Sequence, residues 1–240
     1  MSTTILDLPQ SVQDLRHRFA IEDDFTGGLL DAVKWTDTSP DSGATVAGSD
    51  AAGGAAVLTT GATDNNEAYL LSRQEVFLFA ANKPLKVACR LKFTEAQTDD
   101  ANVAFGLANA VGANTIVDDG AGLKTNFSGV AIFKVDGGTR WKVMSSLATT
   151  QEIVDLTASL SYDKLAKTAG GGVYQILEID WQPISGTVGE ARFFIDGVHV
   201  YTLSFTFTSA TEMNLFVGVK AGGANSEVVT VDYLYGVQQR

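Results

Sequence analysis

Residues 174–202 read YQILEIDWQPISGTVGEARFFIDGVHVYT, and this segment is the most informative about the fold. The side chains alternate with a period of two up to Pro183, which is typical of a β-strand with one face on a core. The pair Asp196-Gly197 is typical of a tight turn between antiparallel strands. The stretch therefore predicts a set of neighbouring antiparallel strands. The predicted buried face of the first strand consists of Val173, Gln175, Leu177, Ile179 and Trp181.

The same period of two extends from Phe25 almost to the C-terminus. Clusters of Gly, Ser, Thr, Asn and Asp separate the strands and indicate loops, among them Asn109 to Gly129. Many short strands without alternating helices predict an all-β, antiparallel two-sheet jelly-roll sandwich. The strand after Asp196-Gly197 is predicted to bury one face, made of His199, Tyr201, Leu203, Phe205 and Phe207. The last strand is predicted to bury the face made of Val229, Val231, Tyr233 and Tyr235.

Residues 1–20 differ from the rest of the chain because their apolar side chains recur at helical spacing. They predict a short amphipathic helix, so we divide the chain into an N-terminal arm, 1–20, and a sandwich, 21–240. The arm either covers one end of the sandwich or docks on a neighbouring subunit, and the sequence leaves both open. The candidate assembly residues of the arm are Leu6, Leu8, Val12, Leu15 and Phe19.

The composition excludes several classes of protein. The chain has 240 residues with 17 basic and 28 acidic side chains, so its net charge of -11 argues against a nucleic-acid or anionic-membrane partner. Neither a secretory signal nor a run of apolar residues long enough for a membrane span is present in the sequence. The single cysteine, Cys89, excludes a disulfide framework and a multi-cysteine metal site. It lies on an alternating apolar face and is predicted to be a buried small hydrophobe.

Two sets of residues are candidates for ligand binding. Aspartate pairs in loops could supply oxygens to calcium, although turn residues exposed to solvent also fit this pattern. We therefore expect no cofactor unless calcium binds there. Trp35 would be available to stack on a glycan if its ring is exposed. The calcium candidates are Asp99, Asp100, Asp118 and Asp119.

The order of elements resembles the concanavalin A-like lectin and glucanase jelly roll, which includes laminin-G-like domains. The likeness is carried by Asp24-Phe25 with Trp35, by the stretch quoted above, and by the closing Val231-Asp-Tyr-Leu-Tyr235. Glucanases of this fold carry a Glu-x-Asp-x-Glu strand. Here the corresponding run begins at Glu178 and ends in Gln182, whose amide cannot deliver a proton. The run also leads directly into the Phe-Phe-Ile-Asp-Gly hairpin, which in that family is the position of a different, non-catalytic strand, so the resemblance does not favour hydrolysis.

The resemblance leaves three functional hypotheses. Lectin-like jelly rolls act mostly outside cells, but phage structural proteins of this fold are made in the host cytoplasm and released in the virion. The leading expectation is therefore a non-enzymatic virion protein, a capsid decoration or other particle-attached module that binds capsid proteins and forms homo-oligomers. The alternative is a carbohydrate-binding module that recognises glycans, and the third is a glycoside hydrolase.

Overall fold

The computed structural model describes residues 17–156, 167–207 and 211–240, and the elements in these residues are β-strands. No helix long and apolar enough to cross a membrane is found in these three ranges. The strands are β1 (Arg18–Asp23), β2 (Trp35–Thr38), β3 (Thr45–Ser49), β4 (Ala55–Thr59), β5 (Glu67–Ser72), β6 (Phe77–Leu78), β7 (Leu85–Thr94), β8 (Ala101–Ala108), β9 (Gly129–Lys134), β10 (Lys142–Leu147), β11 (Thr150–Asp155), β12 (Gln175–Pro183), β13 (Val188–Ile195), β14 (Val198–Thr206), β15 (Glu212–Ala221) and β16 (Val228–Gln239).

The strands form two antiparallel sheets that pack as a sandwich. Sheet A has the order β14-β13-β12-β7-β16-β4-β3, and β1 also pairs with β16. Sheet B has the order β11-β10-β9-β8-β15-β5-β2, and β6 also pairs with β15. The predicted all-β, antiparallel two-sheet architecture is confirmed.

One apolar core fills the space between the inner faces of the sheets. Sheet A contributes Trp181 and Phe193, and sheet B contributes Phe105 and Leu215, all fully buried. The buried face predicted for β12 is confirmed from Gln175 to Trp181. Val173, predicted to belong to it, is instead 62% exposed because the strand begins two residues later.

Cys89 lies at the centre of this core, as predicted. It is in β7, has no solvent exposure, and pairs with Leu177 of β12 and Leu234 of β16. Burial raises the pKa of its thiol well above the usual value. Because the thiolate is the reactive form, Cys89 should be inert while the protein is folded.

We expect Cys89 to report global unfolding. A thiol-specific disulfide reagent at mildly alkaline pH should leave the native protein unmodified and should modify one thiol per chain in denaturant. The absorbance of the released thiolate measures the reaction. Rapid stoichiometric labelling of the native protein would show that β7 opens locally, contrary to this expectation.

The N-terminal prediction is corrected where the structure describes it. Residues 1–16, including Leu6, Leu8, Val12 and Leu15, lie outside the described residues. Phe19 does not belong to a helix, because Arg18–Asp23 forms β1 and pairs with β16. Its ring packs against Phe77, with centroids 5.3 Å apart. Pairing with a long neighbouring strand overrides the helical spacing of this short segment.

Two strand irregularities overturn part of the predicted faces, although Val229 and Val231 of β16 and Tyr201, Leu203, Phe205 and Phe207 at the end of β14 do pack on the core as predicted. The pairing of β16 with β7 shifts between Val231 and Tyr233, so Asp232 is an extra residue and Leu234 becomes the buried side chain. The pairing of β14 with β13 shifts in the same way around Val200, which is buried while His199 is exposed. A bulge moves every following side chain to the opposite face, which a strict period of two cannot anticipate.

Candidate functional site

Most of the outer face of sheet B is buried beneath residues 109–128, which connect β8 to β9 and are called the covering segment below. Outward side chains of the sheet pack against apolar side chains of this segment in a second apolar cluster. All of its buried members are 8% exposed or less. The cluster includes Tyr69, Ala131, Phe133 and Phe216 from the sheet, and Ile116, Leu123 and Phe127 from the covering segment. Strand β9 is therefore apolar on both faces because both of its faces are buried.

A glycine makes room for the largest outward ring of this cluster. Tyr69 in β5 lies directly across from Gly218 in β15. A Cβ at Gly218 would lie 2.5 Å from Cδ1 of the Tyr69 ring. Any larger residue at 218 would therefore displace the ring and the segment that packs on it.

A buried lysine attaches the covering segment to sheet B. Lys220 of β15 has no exposed side-chain surface, and its Nζ lies 3.4 Å from Oε2 of Glu67 and 2.5 Å from Oδ1 of Asp118. The same ammonium donates to Oδ1 of Asn114 at 2.9 Å and to the carbonyl of Ile116 at 3.0 Å. Three of these four partners belong to the covering segment.

Glu67 and Tyr69 extend this network. The Glu67 carboxylate accepts the hydroxyl of Tyr69, and its Oε1 accepts the backbone N–H of Asn114 at 2.6 Å. The Tyr69 hydroxyl in turn accepts the N–H of Ile116 at 2.9 Å. Burial, followed by the nearby Glu67 charge, raises the pKa of Tyr69 well above its usual value. Because these buried groups satisfy one another, the covering segment is part of the folded structure.

A second buried lysine lies near one end of β9. Lys134 has no exposed side-chain surface and forms an ion pair with Glu95. Its Nζ also donates to the carbonyls of Ala101, Asp99 and Val135 at 2.8, 3.1 and 3.3 Å. A ring of carbonyl and carboxylate oxygens is what a hard metal ion selects. Here these oxygens bind an ammonium group.

Two of the aspartates predicted as calcium candidates bind these two lysines. Asp99 contributes its carbonyl to Lys134, and Asp118 contributes its carboxylate to Lys220. The backbone N–H of Asp119 donates to the side-chain Oδ1 of Asn65 at 3.3 Å. Burial and the neighbouring Asp100 raise the pKa of Asp136. Within the described residues, no three His, Cys, Asp or Glu side chains are grouped as a metal site would require.

The outer face of sheet A carries aromatic and charged side chains in rows across the strands, and we call it the aromatic face. The strand registers define two adjacent rows. The first contains Glu22, Tyr235, Ala88, Glu178, Phe194 and His199. The second contains Ala20, Val237, Lys86, Asp180, Arg192 and Thr202. Tyr233 and Tyr174 extend the aromatic face beyond these rows.

Ion pairs and cation–π contacts order the aromatic face. The Arg90 guanidinium lies 4.1 Å from the centroid of the Tyr174 ring and 2.7 Å from Oδ2 of Asp232. Lys86 pairs with Glu178 at 2.9 Å. Glu178, the first acid of the glucanase-like run, is therefore held on this face by a lysine. Such pairs orient side chains more than they stabilise the fold.

An open cleft lies where the edges of the two sheets diverge, and we call it the edge cleft. It has a volume of about 610 Å³ and lies between β14 of sheet A and the β10–β11 hairpin of sheet B. Hydroxyl, amide and carboxylate side chains surround one aromatic ring. The lining includes Ser145, Thr150, Glu152, Ser204, Phe205 and Thr206.

The predicted glycan-stacking residue is not exposed. Trp35 is 2% exposed, packs against Phe25 with ring centroids 6.0 Å apart, and donates its Nε1–H to Oδ2 of Asp23 at 2.8 Å. Its ring therefore has no free face. Sequence reasoning missed the outward Tyr233 and Tyr235 because a bulge places them outside. The sequence does contain a signal for the covering segment, because β9 is apolar on both faces and therefore needs a cover on its outer face.

Comparison with known proteins identifies the fold. No protein-family model and no curated protein matches the chain. An endo-1,3-β-glucanase from Streptomyces sioyaensis is 14% identical, with a TM-score of 0.61 over 92% of this chain and 96% of the other. The Emp47p carbohydrate recognition domain is 14% identical, with a TM-score of 0.58 over 91% and 94% of the two chains. The protein of unknown function SO2946 from Shewanella oneidensis MR-1 is 13% identical, with a TM-score of 0.59 over 99% and 97%.

These likenesses show the fold alone. The chain has the concanavalin A-like lectin and glucanase type of jelly roll, as its sequence resemblance predicted. The similar structures include a glucanase and a carbohydrate recognition domain, so this fold serves both enzymes and binding proteins. Function has to be argued from the surfaces described above.

Proposed function

We propose that the protein is a non-enzymatic virion structural protein, a capsid decoration or other particle-attached module of a phage, which works by protein–protein assembly and self-association. The observation that carries the proposal is the aromatic face. This face combines Tyr174, Phe194 and Tyr235 with Arg90 and Arg192. Tyrosine and arginine are enriched in the cores of protein interfaces, where they contribute most of the binding energy.

The closed outer face of sheet B supports the same proposal. The covering segment fills most of that face with apolar side chains and is attached through Lys220, so the covered part of the described face offers no groove for a chain-like substrate. The aromatic face remains as the broad polar and aromatic surface of the described sandwich. The net charge of -11 keeps the molecule soluble. Specific assembly then depends on a few oriented aromatic and arginine side chains.

Particle association tests the proposal directly. An epitope-tagged chain is produced in its host during particle formation, and the particles are separated on a density gradient. We expect the chain to sediment with the particles. The variant Tyr235→Ala combined with Arg192→Ala should reduce occupancy about tenfold or more, because both side chains are interface types. A chain that stays at the top of the gradient would refute the virion assignment.

A matched control and a truncation localise the contact. Ile153→Ala removes a side chain that is 47% exposed on β11 of sheet B and should leave occupancy unchanged. Deleting residues 1–16 removes most of the proposed assembly arm, 1–20, but retains β1, which begins at Arg18. We propose that this deletion also lowers occupancy. If only the deletion has an effect, assembly depends on the arm and not on the aromatic face.

A carbohydrate-binding module is the second candidate. The observation that favours it is the edge cleft, whose hydroxyl, amide and carboxylate groups surround Phe205. The structural likeness to the Emp47p carbohydrate recognition domain makes glycans a reasonable class of ligand to test. Binding in the edge cleft does not depend on a groove in the outer face of sheet B. This candidate is therefore compatible with the presence of the covering segment on that face.

A glycoside hydrolase of the same fold is the third candidate and has the least support. Hydrolysis needs two carboxyl groups on either side of a glycosidic bond. Glu178 and Asp180 lie side by side in adjacent rows of the aromatic face, and Glu178 is paired with Lys86. If β-glucan hydrolysis were detected, Glu178→Gln should not change its rate. A large decrease would instead assign Glu178 a catalytic role.

A further inference from the structure

The buried network around Lys220 brings an amine, a carboxamide and a carboxylate into contact. The Lys220 Nζ lies 2.9 Å from Oδ1 of Asn114 and 3.4 Å from Oε2 of Glu67. Lys220 has no exposed side-chain surface, and Glu67 is almost completely buried. The pairing of β15 with β5 places Glu67 directly across from Lys220. A nucleophile, an acyl group and a group that can carry protons therefore meet at one place in the fold.

Backbone contacts hold Asn114 in this position. Its N–H donates to Oε1 of Glu67 at 2.6 Å, so one carboxylate contacts both the asparagine and the lysine. Its φ is +57°, in the left-handed region that asparagine adopts more readily than most residues. The Tyr69 hydroxyl donates to Glu67 and orients the carboxylate. The three groups are thus oriented before any reaction, which lowers the barrier to bond formation between them.

We propose that Lys220 and Asn114 form an intramolecular isopeptide bond, with Glu67 transferring the protons. The ammonium of Lys220 gives one proton to Glu67, and the neutral Nζ attacks Cγ of Asn114. The electron pair of Nζ forms the new bond to Cγ. The bond from Cγ to Nδ2 then breaks, and its electron pair stays on the leaving nitrogen. The product is an amide that joins the covering segment to β15 covalently.

The reaction balances without an oxidant, a reductant or a cofactor. Nζ loses two of its three protons, and Glu67 passes both to the leaving nitrogen, which departs as ammonium. Glu67 returns to its carboxylate form. Asn114 is exposed, so the leaving group can escape to solvent. The covalent chain loses the atoms of one ammonia molecule, about 17 Da.

Two other contacts explain why the carboxamide of Asn114 is the group attacked. Asp118 also lies 2.5 Å from the Lys220 Nζ, but its side chain is half-exposed, and the negative charge of a carboxylate resists attack by an electron pair. Lys134 is buried as completely as Lys220. Among the described residues, its contacts are backbone carbonyls and Glu95, with no carboxamide. We therefore expect one bond per chain.

Mass spectrometry of the denatured full-length protein tests the proposal. We expect a mass about 17 Da below that of the unlinked chain, and a tryptic product in which Asn114 is joined to Lys220. Recovery of the two residues in separate, unmodified peptides would overturn the proposal. A link from Lys220 to Asp118, with loss of water and about 18 Da, would overturn the assignment to Asn114.

An exposed asparagine of the same segment provides the matched control. Asn114→Ala keeps the ion pair of Lys220 with Glu67 and removes only the acyl group, so the mass loss should disappear. Asn126→Ala should retain it, because Asn126 is exposed elsewhere in the covering segment. If Asn114→Ala still shows the loss, the bond is not formed there. Lys220→Met removes the ion pair together with the bond and so does not separate them.

Glu67→Gln tests the proton transfer. Glutamine keeps the shape of the side chain but cannot accept a proton from the lysine, so the chain should remain unlinked. Circular dichroism shows whether this variant is folded, and the Asn114 variant decides the proposal if it is not. Linking of folded Glu67→Gln as complete as that of the original chain would refute the role of Glu67. The bond and particle association have separate readouts, so one can fail without the other.

Discussion

Replacing Lys220 by methionine is expected to lower the free energy of unfolding by about 3–5 kcal/mol. The substitution keeps the length of the side chain but removes the ammonium that lies between Glu67 and Asp118. Glu67 has only 3% of its side chain exposed, so its charge would remain buried without a cation. Chemical denaturation followed by far-ultraviolet circular dichroism measures the loss.

Two further variants test the cause of this loss. Lys86→Met removes a lysine that is 41% exposed on the aromatic face and should cost at most about 1 kcal/mol. Combining Lys220→Met with Glu67→Gln should recover part of the stability, because the orphaned charge is then also removed. A cost for Lys220→Met as small as that of Lys86→Met would mean that the Lys220 network does not anchor the covering segment.

Replacing Phe127 by alanine is expected to destabilise the protein by about 3–5 kcal/mol, because a buried ring is lost and leaves a cavity. Phe127 is 2% exposed and packs in the cluster between the covering segment and sheet B. The variant should also bind a hydrophobic fluorescent dye, because the outward Phe133 and Phe216 become accessible. Thermal unfolding and dye fluorescence together measure the effect.

The same variant bears on function. Leu29→Ala is the matched control, since Leu29 is 81% exposed and its removal should change stability by no more than about 0.5 kcal/mol. A Phe127→Ala protein that binds dye but loses no stability would show that the covering segment is a removable lid. The outer face of sheet B would then be accessible, and the support that its closure gives to a non-enzymatic role would disappear.

Much of the fold could be predicted because alternation of side chains is a local property. Because a strand is pleated, the side chains of β7 and β12 alternate between its two faces. This alternation is enough to predict that Cys89, Leu177 and Trp181 are buried. The tight turn at Asp196-Gly197 follows from residues that accept positive φ, and both have it. These features need no information about which strand lies next to which.

The functional surfaces could be predicted much less well. The candidate residue Trp35 is buried by contacts with Asp23 and Phe25, which lie ten or more residues away in sequence. The calcium candidates Asp99 and Asp118 contact lysines that lie far along the chain, so their spacing gave no sign of the ammonium groups. Ion pairs formed across strands depend on register, and register is set by the whole sheet.

Composition and strand periodicity are local properties, so the sequence alone was enough to predict an acidic, all-β sandwich, and its order of elements resembles the concanavalin A-like jelly roll. Only the tertiary structure decided which surfaces remain for function. The bulge at Asp232 turns Tyr233 and Tyr235 outwards, and the covering segment closes sheet B. Both results depend on contacts between distant segments. One extra residue in β16 reverses which of its side chains are exposed to solvent, and one buried lysine, Lys220, attaches the covering segment to sheet B.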